Sequence, residues 1–373
     1  MRPLDGLLVL DFSTLLPGPM ATLVLQQAGA RVLKIERPGT GEDMRGYAPE
    51  WGDSSINFAL LNAGKESLAL DLKDSSALAA LHPLLETADI LVEQFRPGVM
   101  KRLGLDYAAL SAINPRLIYC SITGYGQSGP KKNVAAHDLN YIAETGLLGL
   151  SMGLPQSPVL PPALVADIAA GSYPALFNIL LALHQRTMTG RGCYLDVAMT
   201  DNLFTFMYWA IGNHAVTGET PANGGELVTG GSPRYNLYPT RDGRMVAAAP
   251  IEQKFWDNFC ALIGLEAEFC DDAVAPDATR RRIGELILRH DASYWEPRFE
   301  ASDCCCVVVR TIAEALSDPH FKSRGLFDGR IRNAAGAETP ALPVPLVRDF
   351  RPSPGTVCEV PSLGGGNVRH LAG

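Results

Sequence analysis

The sequence lacks the patterns that mark several large classes of protein. Charged side chains are few, at 19% of 373 residues, and acids outnumber bases to give a formal net charge of −8. A chain with this balance is not expected to bind nucleic acid broadly. It has no run of about 18 uncharged apolar residues, so no membrane span is predicted. The first 16 residues carry acids within an apolar run and no cleavage site of small residues. They therefore indicate a strand rather than a signal peptide, and a cytoplasmic location.

The eight cysteines form no recognisable framework. Neither a CxxC pair nor a spacing of Cys with His that is typical of zinc ligands occurs. We therefore predict neither a zinc site nor a disulfide scaffold. Cys304, Cys305 and Cys306 precede a run of valines and are interpreted as buried strand residues, with a reactive thiol as the alternative.

Short β-rich runs alternate with helical patterns over the first 130 residues. Candidate strands rich in Val, Ile and Leu cover 6–12, 30–36, 67–72, 88–95 and 117–126. Helices are predicted over 20–28 and 75–87, the second with Asp74 as its N-cap. This order predicts an α/β fold with an open, Rossmann-like parallel sheet covered by helices. Because the chain is longer than one core usually supports, a second domain is expected.

The loops beyond the carboxyl ends of these strands are where a ligand of such a sheet would bind. The loop at 12–19 lacks the GxGxxG spacing that approaches a dinucleotide pyrophosphate, which disfavours nicotinamide binding. Several cations and one aromatic residue follow the strands: Lys34, Arg37, Phe95, Arg96, Lys101 and Arg102. Such a set can hold phosphates and stack an adenine. A solvated rim of charges is the alternative.

His137 and Asp167 are a candidate acid/base pair. Asp167 stands 30 residues after His137, at the predicted start of a long apolar helix that ends near 189–192. A histidine that titrates near neutral pH and a carboxylate at a helix N-terminus suit chemistry that moves a proton across a carbon. Spacing alone also allows a capping Asp and a structurally satisfied His.

The second half of the chain predicts a smaller α/β unit. Residues 215–235 are rich in Gly, Pro, Asn and Thr, as in a linker or a mobile active-site loop. A strand is predicted over 243–251, and Glu252 stands where it turns into a helix. Glu252 is thus a third candidate functional carboxylate, and the alternative is a first-turn acid favoured by the helix dipole.

Five ordered motifs give the chain a family resemblance. They are LPGP at 16–19, KIERP at 34–38, LALDLK at 68–73, FRPGV at 95–99 and GYGQSGP at 124–130. Over nearly its whole length the sequence resembles the family III CoA-transferase superfamily, which includes the carnitine CoA-transferase type and α-methylacyl-CoA racemases. The resemblance implies a two-domain α/β protein that forms an interlocked homodimer. It implies a large CoA-binding domain of 1–200 completed by 325–373, a linker of 201–235 and a small α/β domain of 236–324.

Three places resemble the racemase branch in particular: HD at 137–138 before NY at 140–141, TGGSP at 229–233, and IE at 251–252 before FW at 255–256. The resemblance implies that two bases invert the α-carbon of a 2-methyl-branched acyl-CoA through an enolate. His137, oriented and charged by Glu252, would serve one face and Asp167 the other, with N–H groups after Asp167 binding the enolate oxygen. Two alternatives stay open. One is a CoA-transferase with an acyl intermediate on Asp167, and the other is a non-catalytic acyl-CoA-binding protein.

The resemblance also implies how CoA is bound. CoA enters as part of the acyl-CoA thioester substrate, and no metal or redox cofactor is implied. Arg37 would contact its phosphates or adenine, Phe95 would lie along the nucleotide, and Lys73 and Arg102 would neutralise phosphates. The acyl tail is expected beside residues 223–231 and near Met152.

Three positions depart from the common pattern of the family. Glu66 stands where an Arg is common and reverses a charge near the expected CoA site. Gln94 stands where an Asn is frequent, and Arg234 where a small or aromatic residue is more usual. These differences indicate a different acyl substrate or a different reaction within the superfamily.

Overall fold

Strands and helices alternate along the computed structural model, which describes residues 1–150, 153–154 and 157–371. The strands are β1 (Leu8–Asp11), β2 (Arg31–Glu36), β3 (Glu50–Trp51), β4 (Ser54–Ser55), β5 (Glu66–Ala69), β6 (Ile90–Glu93), β7 (Ile118–Thr123), β8 (Gly153–Leu154), β9 (Ser157–Pro158), β10 (Tyr194–Ala198), β11 (Asn236–Pro239), β12 (Met245–Ala248), β13 (Cys306–Val308), β14 (Arg330–Arg332), β15 (Glu338–Pro340) and β16 (Val357–Glu359). The helices are α1 (Pro17–Gln27), α2 (Ile56–Asn62), α3 (Ser75–Thr87), α4 (Val99–Arg102), α5 (Tyr107–Ile113), α6 (Asp138–Glu144), α7 (Tyr173–Thr189), α8 (Met199–Leu203), α9 (Tyr208–Thr217), α10 (Gln253–Ile263), α11 (Ala267–Cys270), α12 (Pro276–Ile287), α13 (Ala292–Glu300), α14 (Ile312–Ser317), α15 (Pro319–Ser323) and α16 (Asn367–Leu371). A π-helical segment, Ala166–Ser172, runs directly into α7.

The chain divides into two compact units. Unit 1 contains residues 1–142, 163–206 and 319–373, and unit 2 contains residues 143–162 and 207–318. The domain boundaries expected from the resemblance stay a prediction. Within the expected linker of 201–235, the structure has the last residues of α8 and the whole of α9.

Unit 1 is built on a six-stranded sheet in the order β10-β7-β6-β1-β2-β5. All neighbouring strands in this sheet are parallel, which confirms the predicted open parallel sheet. The strand order reverses between β1 and β6, because β2 and β5 follow on one side and β7 and β10 on the other. In such folds a ligand binds in the crevice beyond the carboxyl ends of the two central strands. Here those ends are Asp11 and Glu93.

Helix α3 shows how local sequence sets an element of unit 1. Its range, Ser75–Thr87, matches the prediction, and the Asp74 side chain accepts the N–H of Ser76 as the N-cap. Leu81 and Leu85 repeat on one face and are buried in the core beneath the sheet. Helix α1 begins at Pro17, earlier than predicted, because a proline in the first turn loses no helical hydrogen bond.

The turn between β1 and α1 is tightly packed. A Cβ at Gly18 would lie only 2.1 Å from the Cβ of Ser13, so this position accommodates only glycine. Leu15 adopts the left-handed region with φ 60°, which is uncommon for a residue that has a Cβ. The backbone between Ser13 and Gly18 therefore follows a path that the sequence alone did not predict.

Unit 2 contains the antiparallel sheet β11-β12-β13. Its core includes Trp256 of α10 and Trp295 of α13. Strand β12, Met245–Ala248, is shorter than the predicted 243–251. The interpretation of the three consecutive cysteines as buried strand residues holds for Cys306 only: Cys304 is buried but precedes the strand, and Cys305 is exposed with φ 51°. The reason is that the strand begins only at Cys306, after a turn.

The C-terminal segment packs in unit 1. Strand β14 pairs with both β15 and β16. Further on, the Gly366 N–H donates to the Ser67 carbonyl oxygen at 2.9 Å. The Asn367 side chain accepts the N–H of Ala69 and donates to its carbonyl oxygen, at 2.9 and 3.0 Å. The segment thereby satisfies backbone groups of β5 that would otherwise be exposed at an edge of the sheet.

One helix among the described residues, Ala166–Thr189, is long and apolar enough to cross a membrane by length and composition alone. The core helix of a soluble protein passes the same test. Ala170, Ala175 and Ile179 on this helix are fully buried within the protein. The cytoplasmic location stays a prediction.

Candidate functional site

A cavity of about 390 Å³ opens in unit 1 where β1, β6 and β7 end. We call it the His–Asp cavity, because both His137 and Asp167 line it. Its wall also includes Thr14 and Leu15 from the loop after β1, and residues 94–97 from the loop after β6. The fold therefore brings the predicted acid/base pair together at the point where the strand order of the sheet reverses.

Asp167 lies in the π-helical segment that precedes α7. Its backbone N–H donates to Asp138 Oδ1 at 2.9 Å, which fixes the start of the segment. Burial of the Asp167 carboxyl, together with the nearby negative charge of Asp138, raises its pKa to about 7. A carboxyl group with this pKa exchanges protons readily at neutral pH. Wide π-helical turns recur at functional sites, and this one carries Asp167.

Two of the backbone N–H groups predicted to bind the enolate oxygen already have hydrogen-bond acceptors within the protein. The Asp167 N–H is bonded to Asp138, and the Ile168 N–H donates to the Leu164 carbonyl oxygen at 3.1 Å. These two groups are therefore not free to bind an oxyanion. The interpretation overlooked that the helix continues N-terminal to Asp167.

His137 is held by its backbone at the entry to α6. Its N–H donates to Asn140 Oδ1 at 3.0 Å, while its side chain is exposed to the cavity and solvent. The Tyr141 hydroxyl donates to the Ala136 carbonyl oxygen at 2.8 Å and fixes the preceding turn. Asp138, next to His137, is buried and reaches Asp167 instead. Of these two adjacent residues, His137 therefore faces the cavity and solvent, and Asp138 fixes the backbone of Asp167.

Three further residues line this cavity: Arg96 was among the cations predicted at the strand ends, whereas Lys132 and Thr123 were missed. Arg96 and Lys132 bring two cations to its wall. Thr123 also lines it, and its hydroxyl oxygen is buried without a hydrogen-bond partner in the described part of the chain. Thr123 lies within the predicted strand 117–126 and ends β7, a position at the carboxyl edge of the sheet that could have identified it. Lys132 stands further from its strand, and no local pattern distinguishes it.

Glu252 belongs to unit 2, where it is the N-cap residue of α10. Its side chain is exposed and makes no capping hydrogen bond. Its role in orienting and charging His137 stays a prediction. Near it in sequence, Arg234 pairs with Asp272 at 2.8 Å and lies over the Trp256 ring, so this departure from the family pattern fills a packed position within unit 2.

A second cavity of about 320 Å³ lies on the β2 side of the same sheet edge. We call it the Arg37 cavity. Arg37, Lys73 and Phe95, all predicted to contact CoA, line it together. The Arg37 guanidinium is exposed, donates to Thr40 Oγ1 at 2.8 Å and pairs with Asp43. Arg102 is exposed on α4 and is not among the residues that line this cavity.

Two departures from the family pattern have local explanations. Glu66 does not line the Arg37 cavity. It pairs with Arg31 at 2.8 Å and with Arg369 at 2.9 Å, and so ties the C-terminal helix to β5. Gln94 accepts the N–H of Gly18 at 2.9 Å and joins the loops after β1 and β6. Met152, predicted near an acyl tail, lies outside the described residues.

Comparison with known proteins agrees with the resemblance read from the motifs. The model of CoA-transferase family III matches residues 4–366. The acetyl-CoA:oxalate CoA-transferase of Acetobacter aceti is 33% identical over 354 residues, covering 92% of this chain and 89% of that protein. The human α-methylacyl-CoA racemase is 33% identical over 330 residues, covering 87% and 82%. A crystal structure of a CaiB/BaiF family protein from Brucella suis is 26% identical with a TM-score of 0.84, covering 100% of this chain and 99% of that one. The chain is therefore a member of CoA-transferase family III.

Proposed function

We propose that this protein is an acyl-CoA racemase that inverts the α-carbon of a 2-methyl-branched acyl-CoA. The observation that carries the proposal is the placement of His137 and Asp167 in one cavity at the ligand-binding edge of the sheet. Inversion requires removal of the α-proton from one face and its return on the other, so two acid/base groups must flank one carbon. A cavity that both groups line supports this reading.

The state of Asp167 supports this chemistry. Its pKa of about 7 means that the carboxyl is present both with and without its proton at neutral pH. In one direction the ionised carboxylate removes the proton and His137 returns one. In the other direction neutral His137 removes the α-proton from its face, and protonated Asp167 delivers its proton to the opposite face. We propose Glu252 as the group that orients His137.

The features of the Arg37 cavity support binding of the CoA part of the substrate there. Arg37 and Lys73 place two cations at its rim, and Phe95 offers an aromatic face. Phosphates bind to such cations and a nucleotide base stacks on such a ring. Phe95 and Thr14 line both cavities, so a ligand that fills one can extend into the other. In this proposal CoA acts only as part of the substrate.

A CoA-transferase is the second candidate. The observation that favours it is that the Asp167 carboxylate lines a cavity with two cations, Arg96 and Lys132. An ionised carboxylate there could attack an acyl-CoA and pass through an acyl intermediate. The relatives include transferases as well as racemases, at the same 33% identity.

The deciding experiment is α-deuterium incorporation into a 2-methylacyl-CoA in D₂O, followed by mass spectrometry with and without a free carboxylic acid. Incorporation without the acid supports the racemase. No incorporation, with a new acyl-CoA when the acid is added, supports the transferase. Binding of acyl-CoA without either reaction identifies a non-catalytic binding protein. The same assay is applied to His137→Ala. Its matched control is His82→Ala, because His82 is an exposed histidine that lies on α3.

The exposed apolar side chains of α7 support the expected homodimer. Phe177, Leu181 and Met188 are 71%, 58% and 70% exposed. A row of this size on one helix is unusual for the free surface of a soluble protein. Sedimentation equilibrium should therefore give twice the chain mass, and Phe177→Glu should shift the protein toward the monomer. A monomeric unsubstituted protein contradicts this part of the proposal.

A further inference from the structure

Four charged side chains lie buried together behind the loop that follows β1. They are Asp11, Lys34, Glu42 and Lys65, each at most 4% exposed. The Lys65 ammonium lies 3.1 Å from an Asp11 carboxylate oxygen, and the Lys34 ammonium lies 3.4 Å from a Glu42 oxygen. An apolar cluster of similar volume would often be at least as stable as buried ion pairs. The geometry of these groups points to a role other than stability.

Hydrogen bonds of Lys34, Glu42 and Asp11 converge on the backbone of residues 13–15, while Lys65 supports Asp11 from behind. Lys34 Nζ donates to the Ser13 carbonyl oxygen at 2.9 Å. The Leu15 N–H donates to Glu42 Oε2 at 2.6 Å, and the Ser13 N–H donates to Asp11 Oδ1 at 3.0 Å. Thr14 is thereby held on both sides by the buried side chains of Asp11, Lys34 and Glu42.

Leu15 occupies a backbone conformation that needs support. Its φ of 60° lies in the left-handed region, where the Cβ of an L-residue crowds the backbone. Such conformations persist where the surrounding structure fixes them, and they cluster at functional sites. The Leu15 side chain packs in the cluster that contains Met20 and Phe58, which accounts for a leucine where glycine would be free of strain.

Residues 13–15 include Thr14, which lines both cavities. Thr14 and Leu15 line the His–Asp cavity, and Thr14 and Glu42 line the Arg37 cavity. A change in the path of residues 13–15 would move the wall between the two cavities. The charges are thus placed where they can fix the shape of a pocket.

We propose that Glu42 and Lys34 are positioning residues that hold Thr14 and the strained Leu15 in the wall of the His–Asp cavity, so that the acyl end of an acyl-CoA meets a preformed pocket. This inference rests on the proposed binding of acyl-CoA and is independent of which reaction follows. A preformed wall matters because ordering a loop on binding reduces affinity.

The test compares two dissociation constants, one for CoA and one for a racemic 2-methylacyl-CoA, both measured by calorimetry on the full chain. We call the first divided by the second the acyl increment. Glu42→Gln keeps an oxygen acceptor and removes the charge. We expect the increment to fall about tenfold, as for loss of a charge-assisted hydrogen bond, with a smaller change in CoA affinity. A decrease in CoA affinity equal to that of acyl-CoA would contradict the proposal.

A rescue experiment separates positioning from charge balance. Glycine adopts the left-handed region without strain, so Leu15→Gly should make the loop less dependent on Glu42. In the Leu15→Gly background, Glu42→Gln should therefore change the increment by no more than about threefold, a non-additive result typical of coupled sites. If Glu42 only neutralises Lys34, the tenfold decrease persists in both backgrounds and the proposal fails.

Asp89→Asn is the matched control. Asp89 also accepts a backbone N–H, from Leu8 at 2.9 Å, and pairs with the buried Arg186 at 3.0 Å, but it precedes β6 at the amino end of the sheet. The Asp89→Asn substitution should lower the melting temperature and leave the acyl increment unchanged. A decreased increment in this control would show that lost stability alone explains the effect.

Failure of the proposed function and failure of the positioning role give different results. If the unsubstituted protein binds no CoA, the proposed function is wrong. If it binds CoA and Glu42→Gln has an unchanged increment, only the positioning role is wrong. Should Glu42→Gln not fold, amide hydrogen exchange of the unsubstituted protein decides: slow exchange at Leu15 supports the proposal, and exchange as fast as in exposed loops overturns it.

Discussion

The two cavities at the carboxyl edge of the sheet differ in how their ionisable groups are held. In the His–Asp cavity, Asp167 is partly buried next to Asp138 and its pKa is raised to about 7. In the Arg37 cavity, the Arg37 side chain is exposed and forms an ion pair with Asp43. A raised pKa suits proton transfer, whereas an exposed cation suits attraction of phosphates. We infer that the first cavity contributes to the rate and the second to affinity.

Strand β2 shows the same contrast within four residues. Lys34 is fully buried and bonds to the Ser13 carbonyl oxygen. Arg37, just after the strand, has 58% of its side chain exposed. Two basic residues of one motif thus meet different surroundings, because Lys34 lies inside a strand that is buried on both faces, whereas Arg37 follows the end of that strand. The following predictions test this division between rate and affinity.

Substitution of Asp167 should have the largest effect. Asp167→Asn removes the acid/base group, and we expect kcat to fall about 10³-fold in either candidate reaction. The raised pKa means that the folded state favours the protonated carboxyl. Its contribution to stability is present below the usual pKa near 3.8 and is lost as the pH rises through about 7.

The neutral amide should therefore stabilise the fold at pH 8 by about 1–2 kcal/mol and do less at pH 5. Urea unfolding at the two pH values checks this, with Asp71→Asn as an exposed-carboxylate control from the same unit. Equal or lower stability of Asp167→Asn at pH 8 would show that the carboxyl is not destabilised by burial.

His137→Ala should abolish inversion but not all proton exchange. Loss of one of two acid/base groups is expected to lower the rate of inversion by about 10²–10⁴-fold. Asp167 can still remove and return a proton on its own face, so slow deuterium incorporation should remain for one enantiomer. Chiral analysis combined with mass spectrometry checks both results. Unchanged inversion would show that His137 has a structural role and would favour the transferase.

The pH dependence should separate the two candidate reactions. A racemase needs one proton on the His137–Asp167 pair, so kcat/KM should be bell-shaped and identical for both enantiomers, with one flank near pH 7. On each flank the rate should change about tenfold per pH unit. A transferase needs only the ionised Asp167, so its rate should rise through about pH 7 and level off. Initial rates from pH 5 to 9 distinguish the two shapes.

Arg37→Ala should have the smallest effect and should act on affinity. We expect KM for the acyl-CoA to rise about fivefold with kcat nearly unchanged, and the difference to shrink in high salt, as for an exposed phosphate contact. Arg102→Ala is the comparison, since Arg102 does not line the cavity and should change KM by less than about twofold. A large decrease in kcat for Arg37→Ala would break the division between the two cavities.

Local patterns accounted for much of this structure. Alternating Val, Ile and Leu located five strands of the sheet, and Asp74 with its leucine spacing located α3. The motifs identified the family, and three of the four predicted CoA-binding residues share one cavity. The strands, α3 and the motifs depend on neighbours within a few residues, so they can be predicted from the sequence, whereas the sharing of one cavity by distant residues is a tertiary feature.

Other features depended on contacts between distant residues. The exposure of Cys305 follows from a turn that places its φ at 51°, which its apolar neighbours do not indicate. Glu66 was expected near the CoA site, yet its partners Arg31 and Arg369 hold it at the edge of the sheet. Lys132 reaches the His–Asp cavity although it stands beyond the end of its motif.

The sequence by itself determined the α/β order of elements, the family, and the choice of His137 and Asp167 as candidates, because each is set by residue type and short-range spacing. Only the tertiary structure decided that the two share one cavity and that the pKa of Asp167 is raised. It also decided that buried charges hold Leu15 in a strained conformation. Burial and electrostatic proximity arise when strands far apart in sequence are brought side by side, and no local pattern encodes them.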